Sequence, residues 1–236
     1  MNQSHASSPL AGAVHDLATE VVLALRSGDH LATVCGAAGI DEDNRTGIAA
    51  VRVIGADLLL PSVLHGHHPH PGDIAVLHRA VREFPPRPDA SDAAVWSHWG
   101  MLSALHRTAS VSGQPPGAAP GGDEPNAAWL EGAAWQAFSH QLSVLAPLAV
   151  PAASSAVHRA AAHRVVDLSR GFVRAVRRRN WLQAAGVGRW LAALDGLPDS
   201  LGLDRGLDFV ELMGGTDPRV ALHVRAARLM SEGRER

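Results

Sequence analysis

The chain has 236 residues, 46% hydrophobic and 19% charged, with a formal net charge of -2, which suits a soluble globular protein and lacks the basic surplus of a general nucleic-acid binder. It carries 14 histidines, one cysteine, no tyrosine and no lysine. A lysine Schiff base, a P-loop lysine and an intrachain disulfide are thereby excluded, leaving proton transfer and metal binding to histidine and the carboxylates. A GC-rich coding sequence accounts for the arginine-only basic residues but not for the histidines.

Met1 to Leu10 is polar, without the cationic start and apolar run of a secretory signal. No uninterrupted apolar stretch approaches the roughly 18 residues of a membrane span, so the expectation is a cytoplasmic protein with no membrane segment. Residues 1–8 are expected to be disordered. Ser8 and Pro9 form a helix start, an N-cap oxygen followed by a proline whose missing N–H would be unpaired anyway, and a helix is predicted from Pro9 to Ser27. A short helix after Asp29 should end near Gly36 and Gly39, and Cys35, in a run of small and apolar residues, reads as buried.

Residues 44–60 fit either a helix or a strand, and helix is preferred because no other segment offers a strand partner. Pro61 should end or turn it. The loop that follows holds His65, His67, His68 and His70, a set able to chelate a borderline metal, although a solvated histidine-rich turn is the commoner outcome. Asp73 is expected to cap a helix reaching Phe84, and Asp89 or Ser91 to start another reaching about Ala109. Residues 111–126 are rich in glycine and proline and predict a mobile loop. Helices are then expected at about 127–146, 152–182, 186–195, 204–213 and 217–231. The fold class is therefore all-α: a single bundle-like helical domain over residues 9–236, with about seven to nine helices around a Gly/Pro-rich central loop.

Helical phase, about 100° per residue, sorts the histidines. His98 and His106 fall on the apolar stripe of Val95, Trp99, Leu102 and Leu105, about 12 Å apart along the axis. Glu131 shares a stripe with Trp135, Phe138 and Leu142, and His78 lies close to that of Ile74, Leu77 and Val81. His98, His106 and Glu131 are thus the candidate catalytic groups, and with His78 they form a candidate metal set of the kind built inside helical bundles. The competing reading makes them separate core histidines satisfied by carbonyls or water. His158 and His163 project about 140° apart and make no joint site, while His163 and Asp167 suit a local surface pair.

On the predicted 152–182 helix, Arg159, Arg170, Arg174 and Arg177 lie opposite the apolar stripe, and Arg178 and Arg179 extend the run; of these, Arg170, Arg174 and Arg177 are the closest set. Such an edge can hold a phosphate or carboxylate ligand, and these three arginines are the candidate cofactor-binding residues, although a charge run is commonly only a solvated face. The expected function is an intracellular small-molecule enzyme or ligand-binding protein with an interior histidine site, with a transition metal or haem as the cofactors such a site would suit. The rival is a non-catalytic interaction or regulatory module using the Arg-rich helix. A small-molecule ligand or substrate is the expected partner, nucleic acid is disfavoured by the charge, and a homo-oligomer is left open. No HExxH, ExxH pair, paired CxxC, GxSxG or GxGxxG signature occurs.

Overall fold

The computed structural model describes residues 8–28, 33–111, 123–151, 154–197 and 201–234, the side chains of 109–111 excepted. Every regular element among them is helical: α1 (Pro9–Ser27), α2 (Val34–Ala37), α3 (Arg45–Ile54), α4 (Leu60–His65), α5 (Pro71–Glu83), α6 (Asp92–Val111), α7 (Trp135–Val144), α8 (Ala156–His163), α9 (Val165–Arg177), α10 (Trp181–Ala193), α11 (Leu203–Gly214) and α12 (Pro218–Arg234). Short 3-10 turns occur at Gly55–Leu59, Ala128–Leu130 and Ala146–Leu148. Most of the predicted N-terminal tail and of the central loop lies outside the described residues.

The expected all-α class holds, and α1 has the expected bounds. The Ser8 hydroxyl accepts from the Ala11 N–H at 3.2 Å, and Gly28 closes the helix at φ 66°. There are more helices than expected because two predicted helices break in two, while one between them in the chain is shortened. The first is interrupted at Gly55, whose φ of 66° turns the chain, so Pro61 sits inside α4 rather than ending its predecessor. The shortened one gives way to a turn at residues 131–132, and α7 begins only at Trp135. The other breaks at Arg164 (φ -126°), whose guanidinium donates to the Leu130 carbonyl at 2.9 Å, grips Asp167 at 2.7 Å and lies 4.1 Å over the Phe138 ring. Residues Arg45–His65 are long and apolar enough to cross a membrane by length and composition, which the sequence reading did not anticipate, but most of that stretch is buried in the fold.

Asp73 does not cap its own helix. The His70 imidazole does so, its Nδ1 accepting from the Gly72 N–H at 3.1 Å, while the buried Asp73 carboxylate accepts from the Thr33 hydroxyl (2.6 Å) and the Val34 and Cys35 N–H groups (3.1 and 2.8 Å). It thereby caps α2 and ties it to α5. Cys35 is buried as expected, and burial followed by the Asp73 charge pushes its thiol far up, so it is inert as a nucleophile.

Two apolar clusters make the core. One gathers Leu17, Val21, Ile48, Leu58 and Leu77 from the N-terminal helices; the other gathers Phe138, Leu168, Trp190 and Val210 from α7 to α11. Helix α12 serves both, with Leu222, Ala226 and Met230 in the first and Val220, Val224 and Ala227 in the second. Such burial around most of its circumference is the pattern of a central helix. Helix α10 packs tightly on α7 because a Cβ at Gly186 would stand only 2.8 Å from the Ser143 carbonyl oxygen.

Candidate functional site

The predicted histidine and carboxylate site is not assembled. His78, His106 and Glu131 are exposed, and Glu131 sits in a turn before α7 rather than on its stripe. His98 is half-buried, with an Nδ1 that has no hydrogen-bond partner among the described residues. Its imidazole is held below the usual histidine range by burial first and then by the Arg52 charge. The face on which these residues were placed is displaced. The buried side of α6 runs through Ala93, Trp96, Gly100, Met101 and Ala104, and it packs closely at Gly100, where a Cβ would meet Leu148 at 2.5 Å.

Among the described residues no group of three or more His, Cys, Asp or Glu side chains is gathered so as to hold a metal ion. Two of the four loop histidines act structurally: His70 caps α5, and His65 Nε2 lies 3.3 Å from the Leu25 carbonyl. The surface pair expected of His163 and Asp167 does not form, because Asp167 is engaged by Arg164 and by Arg170 at 3.6 Å. His158, half-buried against Trp190 at 5.9 Å between ring centroids, is pushed below the usual range by burial, with Asp195 opposing.

A buried ionic cluster went unforeseen. Arg189 on α10 is fully buried and donates through Nη1 to Asp57 Oδ2 at 2.7 Å and through Nε to the Ala149 carbonyl at 3.1 Å. Its Nη1 also lies 3.3 Å from His223 Nδ1, which must be the lone-pair nitrogen because a guanidinium only donates. Burial, then Arg189 and Arg219, hold the His223 imidazole down at about 3, so it is neutral at pH 7 and its 3.8 Å approach to Asp57 is no ion pair. Burial pushes the Asp57 carboxyl up while Arg189 pulls it back. The contact is single rather than bidentate, leaving Asp57 Oδ1 and Arg189 Nη2 without partners among the described residues. With Arg189 and Asp57 both buried, the pair is a clasp between the two halves of the core.

The arginines behave differently. Arg170, Arg174 and Arg177 come together with Arg178 along a groove of about 810 Å³, walled also by Trp135, Val166, Ser169, Val173 and Leu201. Helix α9 builds this wall because Leu168, Phe172 and Ala175 face the core while Val166, Arg170, Val173, Arg174 and Arg177 share the opposite side. The Arg174 guanidinium stands 5.5 Å from the Trp135 ring centroid, a cation–π distance that holds it against the groove wall. Arg170 is partly neutralised by Asp167, whereas Arg174, Arg177 and Arg178 make no ion pair with a carboxylate among the described residues. Helix α9 ends in a Schellman turn, with the Asn180 N–H donating to the Ala175 carbonyl and that of Arg179 to Val176, both at 3.0 Å. Arg179 occupies its left-handed position at φ 57°, where glycine is usual. Comparison with protein-family models, with curated proteins and with solved structures finds no match to this chain.

Proposed function

We propose that this protein is a non-catalytic binding module whose α9 groove holds a small amphipathic anion, a phosphate or carboxylate carried on a short apolar body. The observation that carries the reading is the meeting, on one wall, of arginines without carboxylate partners and accessible apolar side chains: Arg174, Arg177 and Arg178 beside the exposed Val166 and Val173 and the half-buried Trp135. Guanidiniums bind oxyanions through paired N–H donors, and the apolar strip accepts the body of the ligand. The groove's size falls within the roughly 300–1,000 Å³ of small-molecule sites. An enzyme built on interior histidines has less support, because three of its four candidate residues are exposed.

Calorimetric titration with octyl phosphate tests the reading. The wild-type protein should bind it, and the double substitution Arg174→Glu with Arg177→Glu should weaken binding by about tenfold or more. His98→Ala and His106→Ala should leave binding unchanged. Absence of binding, or equal binding by the arginine variant, would contradict the proposal.

A further inference from the structure

Charge is unevenly spread along the α9 groove. Arg174, Arg177 and Arg178 stand within about one turn at its C-terminal end, while the opposite end carries the exposed Val166 and an Arg170 already met by Asp167. Among the described residues no carboxylate lines the groove: Asp167 turns to Arg164 and Arg170, and Asp204, beyond the lining Leu201, is not on the wall. Arg179 follows Arg178 in the chain but does not line the groove either. The one hydroxyl on the wall, that of Ser169, donates to the Val165 carbonyl at 2.9 Å, which leaves a charged head to the guanidiniums.

Trp135 prepares one of these donors. A guanidinium lying on an aromatic face keeps its in-plane N–H groups free, so Arg174, 5.5 Å from the Trp135 centroid, is steadied without losing them. The C-terminus of α9 contributes about half a negative charge, partly answered by its Schellman bonds, against the three arginines. A monoanion would leave two guanidinium charges unanswered, whereas a phosphate monoester brings up to about two charges and three acceptor oxygens. On the anion-binding reading of the groove, on which this rests, we infer that the groove selects a dianionic phosphate monoester over monoanionic carboxylates and sulfates. The phosphate lies at the Arg174, Arg177 and Arg178 end, and the apolar body runs past Val173 toward Val166. Because Trp135 and Leu201 also wall the groove, the apolar strip is set in a concavity, which suits a free small molecule rather than a flat bilayer.

Octyl phosphate and octyl sulfate share a chain and a tetrahedral head and differ by one charge at about pH 8, above the phosphate's second pKa of about 6. In calorimetric titrations at that pH and fixed ionic strength, octyl phosphate should bind about tenfold or more tightly than octyl sulfate. Arg178→Gln should shrink that preference, weakening the phosphate more than the sulfate, with unchanged helical circular dichroism. Val166→Asn should weaken octyl phosphate but not ethyl phosphate, whose body is too short to reach the far end of the groove. Equal affinity for the two octyl esters, or a preference that Arg178→Gln leaves intact, would overturn the inference while the groove remained an anion site; binding of neither ester would overturn the anion reading with it. Capture of the chain by phosphatidylcholine vesicles containing phosphatidic acid, with no binding of free octyl phosphate, would overturn it in favour of a lipid surface.

Discussion

Arg189 on α10 and Arg177 on α9 occupy opposite environments. Arg189 is closed off from solvent and held by Asp57 and the Ala149 carbonyl, with the His223 imidazole alongside. Arg177 is exposed on the wall of the α9 groove and meets no carboxylate among the described residues. A buried guanidinium is tolerable only when its charge is answered from within the protein, so its field is already committed to folding. An exposed, unanswered one contributes little to stability and keeps its field available for a ligand. The same residue type is thus structural in one place and a candidate recognition element in the other.

The largest expected effect breaks the sealed side. Asp57→Ala leaves Arg189 as an unpaired buried charge and should cost about 3–5 kcal/mol, read as a lower urea midpoint. Replacing the pair together, Asp57→Leu with Arg189→Met, should recover most of that loss, because apolar groups of similar size often match a buried ion pair.

A pH effect of the same region comes next. The folded imidazole of His223 titrates at about 3, against about 6.5 for a free histidine, so between these values the unfolded chain binds the extra proton. The corresponding stability is fully present above about 6.5 and is lost as pH falls toward about 3. Urea midpoints measured across that window should decline, and His223→Gln should decline less steeply.

Smaller effects belong to α9. Arg179→Gly relieves the left-handed backbone at the Schellman turn and should raise stability by about 0.5–1 kcal/mol in thermal or urea unfolding. Arg177→Ala should change stability by less than about 0.5 kcal/mol while weakening octyl phosphate binding in the calorimeter.

What was legible in the sequence follows the range of the physics involved. The bounds of α1 depend on Ser8, Pro9 and Gly28, all local, and they were readable. The grouping of Arg170, Arg174 and Arg177 depends on the phase of one helix and was readable too, but Arg159, predicted on the same face, falls on α8 beside Glu124 because the helix breaks at Arg164, and Trp135 comes from α7 and could not be placed beside them. The breaks at Gly55 and Arg164 escaped, the second because it rests on a contact from Arg164 to the distant Leu130 carbonyl. The histidine faces failed for a different reason. The predicted stripe on α6 runs through Val95, Trp99 and Leu102, which are only half-buried, and Leu105, whereas the packed side runs through Ala93, Trp96, Gly100, Met101 and Ala104, set by neighbours such as Leu148 that approach Gly100 from elsewhere in the chain. The Asp57–Arg189 clasp had a visible sign that went unread. Each charge stands alone in an apolar run, IGADLLLP and AAGVGRWLAAL, where a soluble helix would ordinarily place none.

The contrast between the two arginine environments is tested most directly by hydrogen exchange at the arginine Nε–H groups, followed by NMR with and without octyl phosphate. The Arg189 Nε–H, bonded to the Ala149 carbonyl in the core, should exchange slowly in both conditions. Those of Arg174, Arg177 and Arg178 should exchange fast in the free protein and slow down only when the ligand is added. Groove arginines that ignore octyl phosphate, or an Arg189 that exchanges as fast as they do, would contradict the account.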